Sequence, residues 1–381
     1  MGDRHLPHRP DASLIGGDAP DAASRDARAR EFGFDTWQRL EVACELSAAI
    51  HAGASEHVVD LIEASPALRD ENVLGPGSNW GPPMTHAANL GQRDVVRALH
   101  EVGAEDTQWA FDRACLQGHI ELARELVSWG AAPEPGAVMG PAETLNAAGL
   151  RFLLESGAEL ADEHGNVLAP VALLLQTYSR SPSGKRACLA LVEEWGVELP
   201  ETAPMAVHRG CLDQLDTLLG QDPALLSRTY RHEDLYPPAL GCHSDHSLAL
   251  HGTPLAGGTL LHMAVDYDEV EIVDGLIARG CSADARAAVD ADGFGGHTAL
   301  FGAVVSQPWR VGLRRDAVIA RRLLDAGADA TIRASLRKRL RFVADETEHE
   351  YHDVSAIEWG RQFHDSTWVN PTVMSLLEQL E

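Results

Sequence analysis

Histidines are concentrated in one segment of the chain that lacks helical periodicity. Residues 230–257 include the run Cys-His-Ser-Asp-His at 242–246. Neutral imidazole and thiolate are common zinc ligands, so His243, His246 and His251 are candidate ligands for a metal ion. Their spacing matches neither a zinc finger nor a His-Glu-x-x-His helix. The alternative is an insertion whose histidines face solvent and cap turns.

A glycine-rich turn carries a second group of candidate contact residues. Residues 290–297 read Asp-Ala-Asp-Gly-Phe-Gly-Gly-His. Glycine supplies the positive φ that a tight turn needs, and an exposed aromatic ring at the tip suits a binding contact. Phe294 and His297 are therefore candidate binding residues, unless Phe294 only packs on its neighbour. The turn lacks the lysine and the glycine spacing of a phosphate-binding loop.

A basic segment follows, in which five cations stand between Arg333 and Arg341. One hypothesis is an anion site near the 290–297 finger, for a carboxylate or a phosphate, with Arg333, Arg337 and Lys338 as binding residues. The alternative is a solvated ion-pair face of little energetic consequence, formed with the acidic residues at 345–350. No nucleophile–base pattern or paired-carboxylate motif is readable, so no catalytic residue is predicted.

Composition limits the class of protein. The chain has 381 residues, 45% of them hydrophobic, which is ample for a core. A net charge of −26 repels phosphate backbones and argues against general nucleic-acid binding. The 6 cysteines form no Cys-x-x-Cys pair, which is typical of a reduced, cytoplasmic protein. No apolar run predicts a membrane span, and residues 1–30 lack the apolar segment of a signal peptide.

Two stretches of the chain repeat one pattern. Residues 258–264 read Gly-Thr-Leu-Leu-His-Met-Ala and lead into a short polar break and an apolar stripe at helical spacing. Residues 296–303 read Gly-His-Thr-Ala-Leu-Phe-Gly-Ala and also precede a second helix. Each second helix is predicted to end at a glycine, Gly280 or Gly327, where left-handed backbone is favoured. Neither helix of a pair can bury its apolar face alone, so neighbouring units must stack.

These motifs resemble the ankyrin repeat, whose signature is Thr-Pro-Leu-His-x-Ala inside a helix–turn–helix unit. Departures from the signature are Leu260 and Ala299 in place of proline, and Phe301 in place of histidine. His262 matches the signature histidine, which in the family hydrogen-bonds between neighbouring units. Earlier units are irregular: Gly103, Gly130 and Gly157 are 27 positions apart, against a usual period of about 33.

The resemblance implies an all-α, ankyrin-like helical-repeat solenoid of roughly eight or nine helix pairs, interrupted by one non-repeat insertion. The predicted parts follow in chain order. They are a disordered arm at 1–33, an N-terminal helical cap at 34–78, irregular repeats at 79–229, the His-rich insertion at 230–257, two clear repeats at 258–334, and a basic segment with a C-terminal cap repeat at 335–381.

The leading functional hypothesis is a non-enzymatic scaffold. A repeat stack presents an extended concave face, so we expect a monomeric cytoplasmic protein that binds a partner protein there, without cofactor, nucleic acid or membrane. The alternative is a small-molecule or enzymatic site, metal-dependent or not, formed by the insertion, the 290–297 finger and the 333–341 segment. Inward-facing histidines in a closed pocket would favour the alternative. An open groove with exposed aromatic rings would favour the scaffold.

Overall fold

Short α-helices account for most of the chain in the computed structural model, which describes residues 22–75, 79–246 and 248–380. The helices of these ranges are α1 (Ala22–Glu31), α2 (Trp37–Ala52), α3 (Ser55–Ala64), α4 (Pro83–Asn89), α5 (Arg93–Glu101), α6 (Thr107–Gln117), α7 (Ile120–Ser128), α8 (Met139–Glu143), α9 (Ala147–Glu155), α10 (Ala169–Gln176), α11 (Pro182–Glu194), α12 (Ala203–His208), α13 (Leu212–Gln221), α14 (His232–Leu235), α15 (Leu260–Asp266), α16 (Val270–Ala278), α17 (Ala299–Val304), α18 (Gln307–Arg310), α19 (Val318–Asp325), α20 (Ala356–Gln362) and α21 (Pro371–Glu378). Two strands, β1 (Arg333–Arg339) and β2 (Glu348–Ser355), complete the regular structure.

The chain divides into two compact units, each described by itself. The first comprises Met1–Pro141, Ala148–Glu159 and Phe342–Ala344 within the described ranges, and the second comprises Ala142–Ala147, Leu160–Arg341 and Asp345–Glu381. The prediction of a mostly helical fold is confirmed. The solenoid shape stays a prediction.

Helices of the first unit pair and stack. Helix α2 packs on α3 and α4 packs on α5, while α2 also contacts α4, α3 contacts α5, and α4 contacts α6. First helices therefore contact first helices, and second helices contact second helices, as expected for a stack of helix pairs. The apolar stripe of α5 explains this packing, because Val95, Val96 and Leu99 are completely buried.

Local sequence sets the ends of helix α2. The side chain of Thr36 accepts a hydrogen bond from the backbone N–H of Arg39, which satisfies one of the free donors of the first turn. Gly53 ends the helix in the left-handed region at φ 68°, a conformation that glycine adopts without steric cost.

The predicted disordered arm at 1–33 is corrected in part. Residues 22–31 form α1, which packs on α2, and Ala29 is fully buried in a cluster with Phe34, Trp37 and Leu40. Ala29 provides the small apolar surface by which this polar stretch joins the cluster. Residues 1–21 lie outside the described residues.

The second unit stacks in the same way across the predicted insertion. Helix α12 contacts α15, α15 contacts α17, and α17 contacts α20, while α13 contacts α16 and α16 contacts α19. Residues 230–257 thus interrupt the repeat in sequence but not in space. The backbone closes the ends of the segment, because Tyr230 donates to the Gly258 carbonyl at 2.9 Å and Gly257 donates to the Tyr230 carbonyl at 2.7 Å.

His262 links neighbouring helix pairs, as the resemblance implied. Its Nδ1 accepts the backbone N–H of Thr259 at 3.1 Å. Its Nε2 lies 3.0 Å from the carbonyl oxygen of His297, to which it donates in the tautomer that this arrangement requires. Burial lowers the pKa of His262 to about 4, so the ring is neutral at neutral pH.

The all-α prediction and the C-terminal segment predicted at 335–381 are corrected by an antiparallel hairpin. Strand β1 pairs with β2 in the register Leu336 to Tyr351 and Lys338 to His349, with an irregularity after Ala334. Alternate positions of β1 point inward, since Ala334 and Leu336 are buried. The basic residues of this segment led to the prediction of an anion site or an ion-pair face. The strand is instead determined by the apolar residues that alternate with them.

No helix of the described ranges is both long enough and apolar enough to cross a membrane.

We expect Gly149→Ala to destabilise the first unit. A Cβ built at Gly149 in α9 clashes with the carbonyl oxygen of Cys115, and backbone gives way less easily than a side chain. Overpacking of this kind costs about 1–3 kcal/mol, measurable as a lower midpoint of urea unfolding. The matched control is Gly220→Ala in α13, where an added Cβ meets nothing within 4 Å. Equal stability of the two variants would contradict the packing described here.

Candidate functional site

The insertion, the 290–297 finger and strand β1 line a cavity of about 590 Å³ within the second unit. Four of the five predicted binding residues border it: Phe294, His297, Arg337 and Lys338. Apolar side chains such as Leu255 and Leu336 alternate on its walls with polar ones. Its volume falls in the range of about 300–1,000 Å³ that is typical of small-molecule sites.

A buried ion pair anchors the insertion beside this cavity. Arg180 Nη2 donates to Asp266 Oδ2 at 2.8 Å, and both side chains are almost fully buried. The same guanidinium donates to the carbonyl oxygens of Thr177 at 2.8 Å, Ser179 at 3.0 Å and Leu250 at 2.7 Å. Arg180 therefore joins the loop before α11, the insertion and the end of α15.

The ion pair controls the charge state of Asp266. Burial alone would raise the pKa of this carboxyl group, but Arg180 and His251 outweigh that effect and hold the pKa well below its ordinary value. Asp266 is therefore ionised at neutral pH. Its negative charge balances that of Arg180, since the Arg180 pKa stays raised despite complete burial.

A chain of hydrogen bonds runs from Asp266 to the cavity wall. His251 Nδ1 lies 2.8 Å from Asp266 Oδ2, and His251 Nε2 lies 2.9 Å from the hydroxyl of Tyr236. Burial lowers the pKa of His251 to about 4, so the ring is neutral near pH 7. In that state Nδ1 donates to the carboxylate and Nε2 accepts the Tyr236 proton. Tyr236 and His251 both border the cavity.

Tyr267 and Lys185 lie behind this chain. The Tyr236 hydroxyl contacts that of Tyr267, and the Tyr267 hydroxyl lies 3.0 Å from the carbonyl oxygen of Leu175. Lys185 Nζ donates to the same carbonyl at 3.2 Å and lies 3.6 Å from the centroid of the Tyr267 ring. Burial holds the pKa of Lys185 well below its ordinary value.

Lys338 projects from an inward position of β1. Its neighbours on that face, Leu336 and Leu340, are buried and apolar. Within the described ranges no carboxylate lies within ion-pair distance of Lys338, although its electrostatic interaction with Asp266 is appreciable. The side chain is half-buried and borders the cavity, and burial lowers its pKa to about 8.

The finger is held against the hairpin rather than free in solvent. Gly295 donates its N–H to the carbonyl oxygen of Ser335 at 2.7 Å, which adds the finger to the edge of β1. Arg337 forms ion pairs with Asp290 at 2.6 Å and with Asp292 at 3.0 Å, and its guanidinium lies 5.0 Å from the Phe294 ring centroid. Arg337 is therefore paired with carboxylates of the finger, whereas the ion-pair face expected from the sequence used the acidic residues at 345–350.

The remaining predicted binding residues have different surroundings. His297 is 2% exposed, and its Nε2 lies 2.9 Å from the carbonyl oxygen of Pro254, so it borders the cavity but not the outer surface. Arg333 is not among the residues that line the cavity, and it pairs with Asp353 at 3.0 Å and Glu358 at 2.6 Å. A partner-binding role for the predicted set stays a prediction.

The predicted metal ligands do not form a cluster. Across residues 22–75, 79–246 and 248–380, no three His, Cys, Asp or Glu side chains are grouped so as to hold a metal ion. His246 and His251 border the cavity, whereas His243 contacts Gln176 and His232 through its backbone. Both ring nitrogens of His251 already have partners. Zinc binding at His243, His246 and His251 remains an untested prediction.

Sequence reasoning missed the buried polar network that includes Tyr236 of the cavity wall and the groups behind it. The missed residues are Arg180, Lys185, Tyr236, Asp266 and Tyr267. Asp266 stood in what the sequence suggested was only a polar break between two helices, and no motif or spacing marked the others. One signal in the sequence could have pointed to Asp266. It directly follows six residues of a predicted helix, and the structure shows that these six residues and Asp266 are all buried.

Comparisons with known proteins give a limited result. No family model matches the chain, and no curated protein matches it either. Among solved structures, the ankyrin repeat domain of human ASB11 is similar at 17% identity, covering 78% of this chain and 97% of that chain, with a TM-score of 0.26. A TM-score this low does not establish a shared fold, and the stacking of helix pairs is seen from the helix contacts themselves.

We expect Arg180→Met to destabilise the second unit by about 3–5 kcal/mol near pH 7, because it leaves the Asp266 carboxylate buried without its partner. In the native protein the depressed pKa of Asp266 contributes stability above the unfolded pKa, and this contribution is lost as pH falls through the folded pKa. Without Arg180, burial raises that pKa. The stability deficit of the variant should therefore shrink as pH falls.

Urea unfolding at pH 7 and pH 5 measures this deficit. The control is Arg228→Met, which removes a solvent-exposed ion pair with Asp222 and should have little effect. The prediction would be contradicted if Arg180→Met lost no more free energy of unfolding than the control did. It would also be contradicted if that loss grew as pH falls.

Proposed function

We propose that the second unit binds a small organic anion with an apolar body in the cavity between the insertion, the finger and β1. The observation that carries the proposal is Lys338, a cation at an inward strand position without a carboxylate partner in the described part of the chain. A buried charge is costly unless it is paired. A bound carboxylate would supply the missing partner through a charge-assisted hydrogen bond.

Three other cations near the cavity are paired with carboxylates. Arg337 is committed to Asp290 and Asp292 of the finger, and Arg231 pairs with Glu233 and Asp234. The deeper Arg180 is neutralised by Asp266. Within the described ranges, the half-buried Lys338 and the solvent-exposed Arg339 border the cavity without an ion-pair partner, which supports a ligand with one anionic group that reaches Lys338.

The rest of the wall suits an apolar or aromatic body. Pro254, Leu255 and Leu336 supply apolar surface, while the Tyr236 hydroxyl and the His251 ring supply the few polar groups that can fix a ligand's orientation. Because the chain carries a net charge of −26, long-range electrostatics disfavour the approach of anions. Affinity must come from these short-range contacts.

Partner-protein binding through the helix pairs remains the broader hypothesis from sequence. Two of its predicted contact residues, Phe294 and Arg337, instead contact each other and the finger carboxylates. His297 is buried beside the cavity. These contacts support ligand binding within the unit over a role for these residues at an open protein interface.

Phenylacetate tests the proposal, with the uncharged 2-phenylethanol as the matched ligand. In ligand-observed saturation-transfer NMR at pH 7, phenylacetate should bind saturably and 2-phenylethanol much more weakly. Lys338→Met should weaken phenylacetate binding by about tenfold or more, since a hydrogen bond to a charged group contributes about 1.5–3 kcal/mol.

The control variant is Arg333→Met, which removes a cation of the same strand that lies outside the cavity lining. Its affinity for phenylacetate should equal that of the native chain. The proposal is overturned if phenylacetate does not bind, or if Lys338→Met and Arg333→Met behave alike while both remain folded by circular dichroism.

A further inference from the structure

Lysine is nearly absent from this protein. The sequence has 31 basic residues, and just two of them, Lys185 and Lys338, are lysines. Arginine stays protonated in proteins, whereas a lysine can lose its proton when it is buried and then act as a nucleophilic amine. Both lysines lie in the second unit, and both interact electrostatically with Asp266. Both lysine side chains of the sequence are therefore close enough to the buried Asp266 carboxylate to interact with it electrostatically.

The two amines differ in access. Lys185 is 2% exposed, and its Nζ is covered by the Tyr267 ring and the Leu175 carbonyl. Lys338 borders the cavity and has no hydrogen-bond or ion-pair partner within the described ranges. A ligand in the cavity thus meets one lysine side chain.

A proton donor borders the same cavity. The Tyr236 hydroxyl is hydrogen-bonded to His251 Nε2 at 2.9 Å, and His251 Nδ1 is hydrogen-bonded to Asp266 at 2.8 Å. Tyr236 keeps its proton at neutral pH, because burial raises its pKa well above the ordinary value.

We propose that Lys338 forms an imine with the ketone carbon of a small 2-oxo acid held in the cavity, a step that rests on the proposed binding of organic anions there. The Lys338 Nζ lone pair attacks the carbonyl carbon, and the carbonyl oxygen takes up a proton from Tyr236, giving a carbinolamine. Of the two protons then on Nζ, one returns to the Tyr236 oxygen and the other leaves with the hydroxyl group as water. The amine and ketone become an imine and one water molecule, with no oxidant or reductant.

The protonation state of Lys338 supports this chemistry. Because burial lowers its pKa to about 8, the free amine is more populated near neutral pH than that of an ordinary lysine, whose pKa is about 10.4.

Reductive trapping tests the inference on the full chain. Phenylpyruvate is the probe, and sodium cyanoborohydride converts any imine to a stable amine. Intact-mass spectrometry should show one adduct per chain, and peptide mapping should place it on Lys338. Only Lys185, Lys338 and the α-amino group can react in this way, so the map has three candidate positions.

Matched variants separate charge from nucleophilicity. Lys338→Arg keeps a cation but cannot form an imine, so it should retain phenylacetate binding and lose the adduct. Tyr236→Phe removes the proton donor without changing the charge of the cavity. At saturating phenylpyruvate, where a change in affinity does not affect the rate, it should slow trapping about tenfold or more.

The outcomes distinguish the two proposals. If phenylacetate binds and phenylpyruvate gives no adduct, or an adduct elsewhere than on Lys338, the imine is overturned and anion binding stands. Absence of binding by both compounds overturns both proposals. Trapping at an equal rate in Tyr236→Phe would remove the assigned role of the Tyr236 hydroxyl.

Discussion

The buried pair of Arg180 and Asp266 is the interaction on which the second unit depends. Transferring either ion from water into the protein interior costs several kcal/mol, and the cost is offset only if the geometry satisfies both charges. Arg180 meets this condition through the Asp266 carboxylate and the backbone carbonyls of Thr177, Ser179 and Leu250. Since these acceptors come from three separate segments, the pair also fixes how the segments meet.

The same pair determines the chemistry at the cavity. An ionised Asp266 orients the neutral ring of His251, and the ring in turn orients the Tyr236 hydroxyl. In a region of low dielectric, such hydrogen bonds are stronger and an unsatisfied polar group is more costly than in water. The side chains that hold the insertion in place therefore also fix the orientation of the Tyr236 hydroxyl at the cavity wall.

The cations at and near the cavity differ in whether they have a carboxylate partner. Arg337 is used to attach the finger to the hairpin, and Arg180 is used to attach the insertion, so each has a carboxylate partner. Lys338 occupies a position of β1 whose neighbours on the same face are apolar. A leucine there would be expected from packing alone, so the surplus charge has its best physical account in a ligand.

Local patterns in the sequence determined where the helices lie and which irregular segments border the cavity. Helical spacing, capping threonines and glycine stops act within a few residues, which is why the helix pairs, the His262 link and the segments at 230–257, 290–297 and 333–341 could be predicted. Alternation around Leu336 was also present in the sequence, but the row of cations beside it suggested an ion-pair face instead of a strand. Four of five predicted binding residues border the cavity for the same local reason: glycine, aromatic and charge clusters mark irregular segments.

Only the tertiary structure decided which polar groups are buried together. Arg180 and Asp266 are 86 positions apart, and Tyr236 and Tyr267 are 31 apart. Such pairings depend on how stacked helices place distant segments, and no short-range spacing encodes that placement. The tertiary structure also decided which cations are neutralised, because a run of basic residues in the sequence does not show where the carboxylates will lie after folding. Helix formation follows local periodicity, whereas the site follows from packing.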